Sequence, residues 1–159
     1  MNKIPSFTVN HLDLLCGAYV SRKDNINGGV VTTFDIRVTR PNTEPVMDTC
    51  AAHAIEHLGA TFLRNDPRFA DITVYFGPMG CRTGFYLILN GDFTPADVKP
   101  LLDDMFDFII GFEGEIPGAS ARDCGNYLDL NLSMAKYYAE KYKSEVLSDF
   151  CEKRTVYPE

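Results

Sequence analysis

The sequence predicts an α+β fold in a single domain spanning residues 1–159. Three observations carry that prediction. Strand-like segments come early, helical patterns intersperse with them, and no regular strand–helix–strand rhythm signals a parallel sheet. The length of 159 residues allows one domain with a real core and is too short for two. A hydrophobic fraction of 45% puts the chain among folded proteins rather than disordered ones.

Residues 30–39, VVTTFDIRVT, alternate in polarity and are rich in β-branched side chains, which predicts a strand. Pro41 through Pro45 marks a loop. Asp48 or Thr49 then caps a helix through CAAHAIEHLGATFLRN, where Ala52, Ile55, Leu58 and Phe62 recur at helical spacing. Asn65-Asp66-Pro67 stops it. Residues 71–76, DITVYF, predict a second strand, Gly77-Pro78-Met79-Gly80 a turn, and residues 82–90, RTGFYLILN, a third strand. Thr94-Pro95 opens a helix carrying Val98, Leu101, Leu102, Met105, Phe106 and Ile109. A glycine-rich loop follows from Gly111 to Gly118. Ser120 then predicts an N-cap for a final helical stretch from about Arg122 to Phe150.

Composition excludes several function classes. A net charge of -7 leaves no basic stripe to neutralise phosphates, so no nucleic-acid partner is expected. No segment is long and apolar enough to span a membrane, and MNKIPSFTVN lacks the apolar region of a secretory signal, so the expected compartment is the cytoplasm. The five cysteines, Cys16, Cys50, Cys81, Cys124 and Cys151, are odd in number and scattered. They argue against a disulfide scaffold and for buried thiols, a metal ligand or a reactive thiol.

Two of the three histidines, His53 and His57, stand four apart with Glu56 between them. On a helix that spacing puts both imidazoles on one face, within reach of one divalent metal. Glu56 falls beside the same ion without having to ligate it, which supplies a Lewis acid and an adjacent acid/base. The competing reading is a solvent-facing polar patch or a pair of satisfied core histidines; the H-x-x-E-H pattern on a helix favours the metal.

A catalytic metal needs about three protein ligands and an open position. Two thiols compete for the third place. Cys50 shares the helical face of His53 and His57, although three ligands from two turns strain the coordination. Cys124, in A-R-D-C-G-N, follows the predicted N-cap, where the helix dipole would favour a thiolate. Its alternative role is a small buried hydrophobe. Cys81, in F-G-P-M-G-C-R-T-G, sits among glycines with Arg82 beside it. That setting suits an accessible, reactive thiol, or equally a structural turn carrying an incidental cysteine.

Five stretches together resemble S-ribosylhomocysteine lyase, the autoinducer-2-producing LuxS family: S-F-T-V-N-H from Ser6, F-D-I-R-V-T-R-P-N from Phe34, H-A-I-E-H-L from His53, G-P-M-G-C-R-T-G-F-Y from Gly77 and D-C-G-N from Asp123. They occur in the family's order and cover the chain from Ser6 to about Lys141. The resemblance implies an antiparallel sheet packed by helices, in a homodimer. It implies one divalent metal per chain, Fe²⁺ in the native enzyme with Zn²⁺ or Co²⁺ able to take the site, on His53, His57 and Cys124. Glu56 and Cys81 match the family's acid/base residues, and Ser6, His11, Arg37 and Arg64 its substrate contacts. The implied reaction cleaves the thioether of S-ribosyl-L-homocysteine by two carbonyl shifts and a β-elimination. Its products are L-homocysteine and 4,5-dihydroxy-2,3-pentanedione, the autoinducer-2 precursor.

The match departs from the family at Tyr75, where many members carry an aspartate that holds the homocysteine end, and at Phe76-Gly77. Two other readings compete. One is an H-x-x-E-H zinc peptidase with Glu113 or Glu115 as third ligand; the other is a non-catalytic metal-binding module, which requires a closed coordination sphere.

Overall fold

β2 (Gly29–Arg37) is the spine of the structure, a computed structural model that describes residues 7–158. It pairs antiparallel with β1 (Gly17–Ile26) on one side and with β4 (Gly84–Asn90) on the other. β3 (Thr73–Pro78) adds to β4, giving an antiparallel sheet in the order β1-β2-β4-β3. α1 (Thr49–Asn65) and α2 (Pro95–Gly111) pack on it, and α3 (Leu132–Tyr142) packs against α1 and α2.

Strand periodicity divides the residues of β2 between two environments. Phe34 and Ile36 join Phe85, Leu87 and Leu89 of β4 in the core with the helices. Asp35 and Arg37 line the cavity described below instead. From α1 the core receives Ile55, Leu58 and Leu63, and from α2 Val98, Leu101, Leu102, Met105, Phe106 and Ile109. Each of those side chains contributes on the order of 1.5–3 kcal/mol by leaving water. α1 starts where the sequence places it: Asp48 is the N-cap, and its carboxylate accepts from the Ala51 backbone N–H at 2.8 Å.

Two predictions fail. No element was expected at 17–26, yet β1 lies there. Its outer half, SRKDNI, is polar and largely exposed, as an edge strand that must resist pairing requires, and this hides the apolar signature of a strand. The predicted helix from Arg122 begins ten residues later. Ser120 and Asp123 hydrogen-bond to each other, side chain to side chain and side chain to backbone. That local ring, followed by Gly125 and Asn126, closes a turn and competes with helix. The true N-cap is Asn131, whose side chain accepts from the Met134 N–H at 3.0 Å. After Tyr142 the chain widens into a π turn over Lys143–Leu147.

Candidate metal centre

The helical spacing of His53 and His57 places their rings 4.6 Å apart, edge to face. Each ring is held from behind. His53 Nδ1 lies 2.9 Å from the Asp129 carbonyl oxygen and His57 Nδ1 lies 2.7 Å from that of Pro117. A carbonyl only accepts, so each Nδ1 carries the proton and each Nε2 lone pair is free for a metal. Both carbonyls belong to the segment between α2 and α3. Gly118 lets that segment close over α1: its φ is +76°, and a Cβ there would stand 3.3 Å from His57 Nδ1.

The same segment delivers a thiol. Cys124 Sγ lies 3.4 Å from His53 Nε2 and receives the Asn126 backbone N–H at 3.4 Å. Ligand atoms of His53, His57 and Cys124 all fall within 4.8 Å of one another. The segment is tied to the start of α1 by the Thr49 hydroxyl donating to the Asp129 carboxylate and by the Asn131 N–H donating to the Cys50 carbonyl. Two imidazoles with free Nε2 atoms and one thiol make a donor set that fits a divalent transition metal with an open position.

The cluster contains neither Cys50 nor a carboxylate. The Cys50 thiol donates to Asp48 at 2.8 Å, and that bond, followed by partial burial, holds it above the ordinary thiol range. Glu113 and Glu115 are no part of the donor set, so the peptidase ligand pattern is missing. No helix dipole acts on Cys124, because α3 begins only at Leu132; the Asn126 N–H is its donor instead. Glu56 stands in the clefts on both sides of the cluster, with His57, Pro117 and Gly118 on one and with His53, Met79, Gly80 and Asn126 on the other.

A second group of expected site residues lines a different cavity of about 280 Å³. His11, Arg37 and Cys81 meet there with Asp35, Tyr86 and Tyr157. Its lining shares only Met79 and Gly80 with the cleft that holds His53 and Glu56. Arg37 forms a buried ion pair with Asp35 at 2.5 Å, donates to Thr83 Oγ1 at 2.5 Å and faces Cys81 Sγ at 3.7 Å. Burial works against a Cys81 thiolate, but Thr83, through hydroxyl and backbone, and the Arg37 guanidinium outweigh it and hold the thiol below its ordinary range. His11 is half-buried, with Nδ1 2.9 Å from the Val9 carbonyl.

Ser6 lies outside the described residues. Arg64 is not brought to either group: near the end of α1, its guanidinium donates to the Val74 carbonyl at 3.2 Å. Tyr75, the departure from the family pattern, is 45% exposed on edge strand β3. Asp35, Thr83 and the carbonyls of Pro117 and Asp129 were missed in the sequence. Backbone carbonyls leave no trace there, but Asp35 and Arg37, two apart on a strand, were readable as a same-face pair.

The family model described as S-Ribosylhomocysteinase (LuxS) matches residues 4–153. A curated S-ribosylhomocysteine lyase of Clostridium acetobutylicum is 64% identical over 159 residues, covering 100% of both chains. That of Clostridium beijerinckii is 63% identical over 158 residues, 99% of each. That of Porphyromonas gingivalis strain W83 is 55% identical over 159 residues, again 100% of both. With a family model matched over nearly its whole length and relatives this similar from end to end, the chain belongs to the LuxS S-ribosylhomocysteinase family.

Proposed function

We propose that this chain is a carbon–sulfur lyase that cleaves S-ribosyl-L-homocysteine to L-homocysteine and 4,5-dihydroxy-2,3-pentanedione, the precursor of autoinducer-2. The observation that carries the reading is the convergence of His53, His57 and Cys124 beside Glu56, in a chain that matches lyases along its full length. His53 and His57, through Nε2, and Cys124, through its thiolate, hold one divalent ion. The resemblance to the family favours Fe²⁺ as that ion, with Zn²⁺ or Co²⁺ able to take the site. When bound it supplies Lewis acidity toward the sugar carbonyl, which makes the neighbouring C–H acidic.

The protein's groups do the proton work. Cys81, held toward the thiolate by Thr83 and Arg37, removes a proton beside the carbonyl. Glu56 carries protons on the other side, so the carbonyl moves from C1 to C2 and then to C3. Removal of the C4 proton then expels the homocysteine sulfur by β-elimination. Arg37 holds the Cys81 thiolate and orients the sugar with Ser6 and His11.

Glu56 and Cys81 occupy different cavities of one chain, which favours a homodimer with shared sites: His11, Arg37 and Cys81 of one subunit face the metal cluster of the other. Exposed apolar side chains flank both groups. Phe7 and Leu12, 69% and 74% exposed, bracket His11, and Leu128, 80% exposed, follows Cys124. A two-fold contact buries both edges at once and excludes water from two pockets. All five cysteines are unpaired, and no helix among the described residues is long and apolar enough to cross a membrane. Both features suit the cytoplasm. The deciding assay is thiol release: metal-loaded protein should liberate homocysteine from S-ribosylhomocysteine, and failure under anaerobic, iron-loaded conditions sinks the assignment.

A further inference from the structure

The end of the chain reaches the Cys81 cavity. The family match stops at residue 153, yet the segment beyond it is docked onto β1. Arg154 Nη1 donates to the Cys16 carbonyl at 2.9 Å, and the Tyr19 hydroxyl donates to the Lys153 carbonyl at 3.3 Å. Gly17 makes this possible, since a Cβ there would lie 2.3 Å from the Arg154 carbonyl oxygen. The docking ends at Tyr157. Its ring stacks on Tyr19 with centroids 4.8 Å apart and planes 9° from parallel, and its hydroxyl donates to Asp35 Oδ2 at 2.9 Å.

That oxygen is the one paired with Arg37. Asp35 and Arg37 are 2% and 4% exposed, so their charges depend on the few groups that touch them. Asp35 Oδ1 and Arg37 Nε have no hydrogen-bond partner among the described residues. Tyr157 is therefore a large part of what fixes the carboxylate, as Asp35 and Thr83 are of what fixes the guanidinium. A continuous relay runs Tyr157–Asp35–Arg37–Cys81 along the cavity wall.

We propose that Tyr157 is a positioning residue for the reacting thiol: its hydroxyl holds Asp35, and through it Arg37, in place beside Cys81. The proposal rests on the reading of Cys81 as a proton carrier. The groups lining this cavity are His11 from the N-terminal segment, Ser21 of β1, Asp35 and Arg37 of β2, Tyr86 of β4 and Tyr157. Of these, Arg37 favours a thiolate on Cys81. The tyrosine hydroxyl stabilises the Asp35 charge and fixes the carboxylate oxygen that pairs with Arg37. Removing it leaves the Asp35–Arg37 pair, and so the guanidinium beside Cys81, less firmly placed, which disfavours the thiolate.

The test is Tyr157→Phe in the full-length, metal-loaded protein, which keeps the ring stack and deletes only the hydroxyl. Alkylation by iodoacetamide across a pH series, read on the Cys81 peptide by mass spectrometry, gives the thiol's midpoint without any turnover. The midpoint should rise by about half a pH unit, and kcat/KM on the acid side should fall about 3-fold with it. Tyr19→Phe, which loses the Lys153 contact but leaves the Tyr157 hydroxyl, should leave the midpoint where it was. A chain ending at Val156 should raise it at least as far as Tyr157→Phe, and carries the test if the phenylalanine variant does not fold. A midpoint unchanged in Tyr157→Phe, with activity reduced equally at every pH, makes the tyrosine merely structural and overturns the proposal. Full turnover in Cys81→Ala overturns the proton-carrier reading instead, and leaves the midpoint comparison between Tyr157→Phe and the parent as it stands.

Discussion

His53 Nε2 lies 3.4 Å from Cys124 Sγ while Nδ1 of the same ring sits 2.9 Å from the Asp129 carbonyl. One short segment thus supplies both the thiol that shares the metal cluster with His53 and the carbonyl that fixes which nitrogen of His53 is free. Pro117, at the start of the segment, does the same for His57. The candidate metal site is therefore assembled by docking this segment on α1, with both histidines oriented by backbone oxygens that no side-chain substitution removes.

Metal content is the first measurable consequence. The parent should bind one divalent ion per chain, and His57→Ala and Cys124→Ala should each lose most of it after dialysis, by elemental analysis. Cys50→Ala should retain it, because that thiol is hydrogen-bonded to Asp48 and outside the cluster. Full occupancy in Cys124→Ala with loss in Cys50→Ala would transfer the third ligand to Cys50.

Glu56→Gln and Cys81→Ala should keep the metal and the fold while kcat for homocysteine release drops about 10²–10⁴-fold, the usual range for a lost proton-transfer group. A near-parental rate in either variant removes that residue from the mechanism.

The acid limb of the rate profile should follow Cys81. Its thiol is held below the ordinary range against burial, chiefly by Thr83 and then by Arg37, so the thiolate persists to lower pH than for a free cysteine. Thr83→Val removes the hydroxyl donor and should move the acid limb of kcat/KM to higher pH. A shift toward lower pH contradicts the direction argued here.

Sharing of sites between subunits is tested by mixing two inactive variants, Glu56→Gln and His11→Ala, under conditions shown to exchange subunits. A shared site leaves one pocket of the mixed dimer with both defects and the other with neither, so up to half of a dimer's activity returns. No recovery of homocysteine release means that each site is built within one chain.

Asp48→Ala deletes the N-cap of the helix that carries both histidines. It should cost about 1 kcal/mol, a fall in Tm of roughly 2–4 °C for a domain of this size. An unchanged Tm by calorimetry would show that the cap contributes nothing.

How much of this was legible in the sequence followed from the range of the forces involved. Local spacing determined α1: an N-cap, an apolar stripe and a stop lie within one stretch, so His53, Glu56 and His57 could be placed on one helix without knowing what packs against it. β2, β3 and β4 were legible from their β-branched, apolar runs; the charged edge strand β1 was not, since its outer half buries little. Motif order along the chain carried the family, and with it the expectation of Cys124 over Cys50.

Tertiary structure alone decided the rest. The Ser120–Asp123 ring keeps the start of the 120–131 segment out of helix, but where that segment docks is set by contacts with α1 through Thr49, Cys50 and His53, which are distant in sequence. The tautomers of both histidines are fixed by carbonyls, which every residue possesses and no sequence pattern marks. Tyr157 reaches Asp35 across 122 positions only because the sheet and the docked tail bring them together. Residue types supplied the chemistry of this protein, while the chain's path in space chose which of those residues meet, because a hydrogen bond or a ligand set is formed by distance and not by order in the chain.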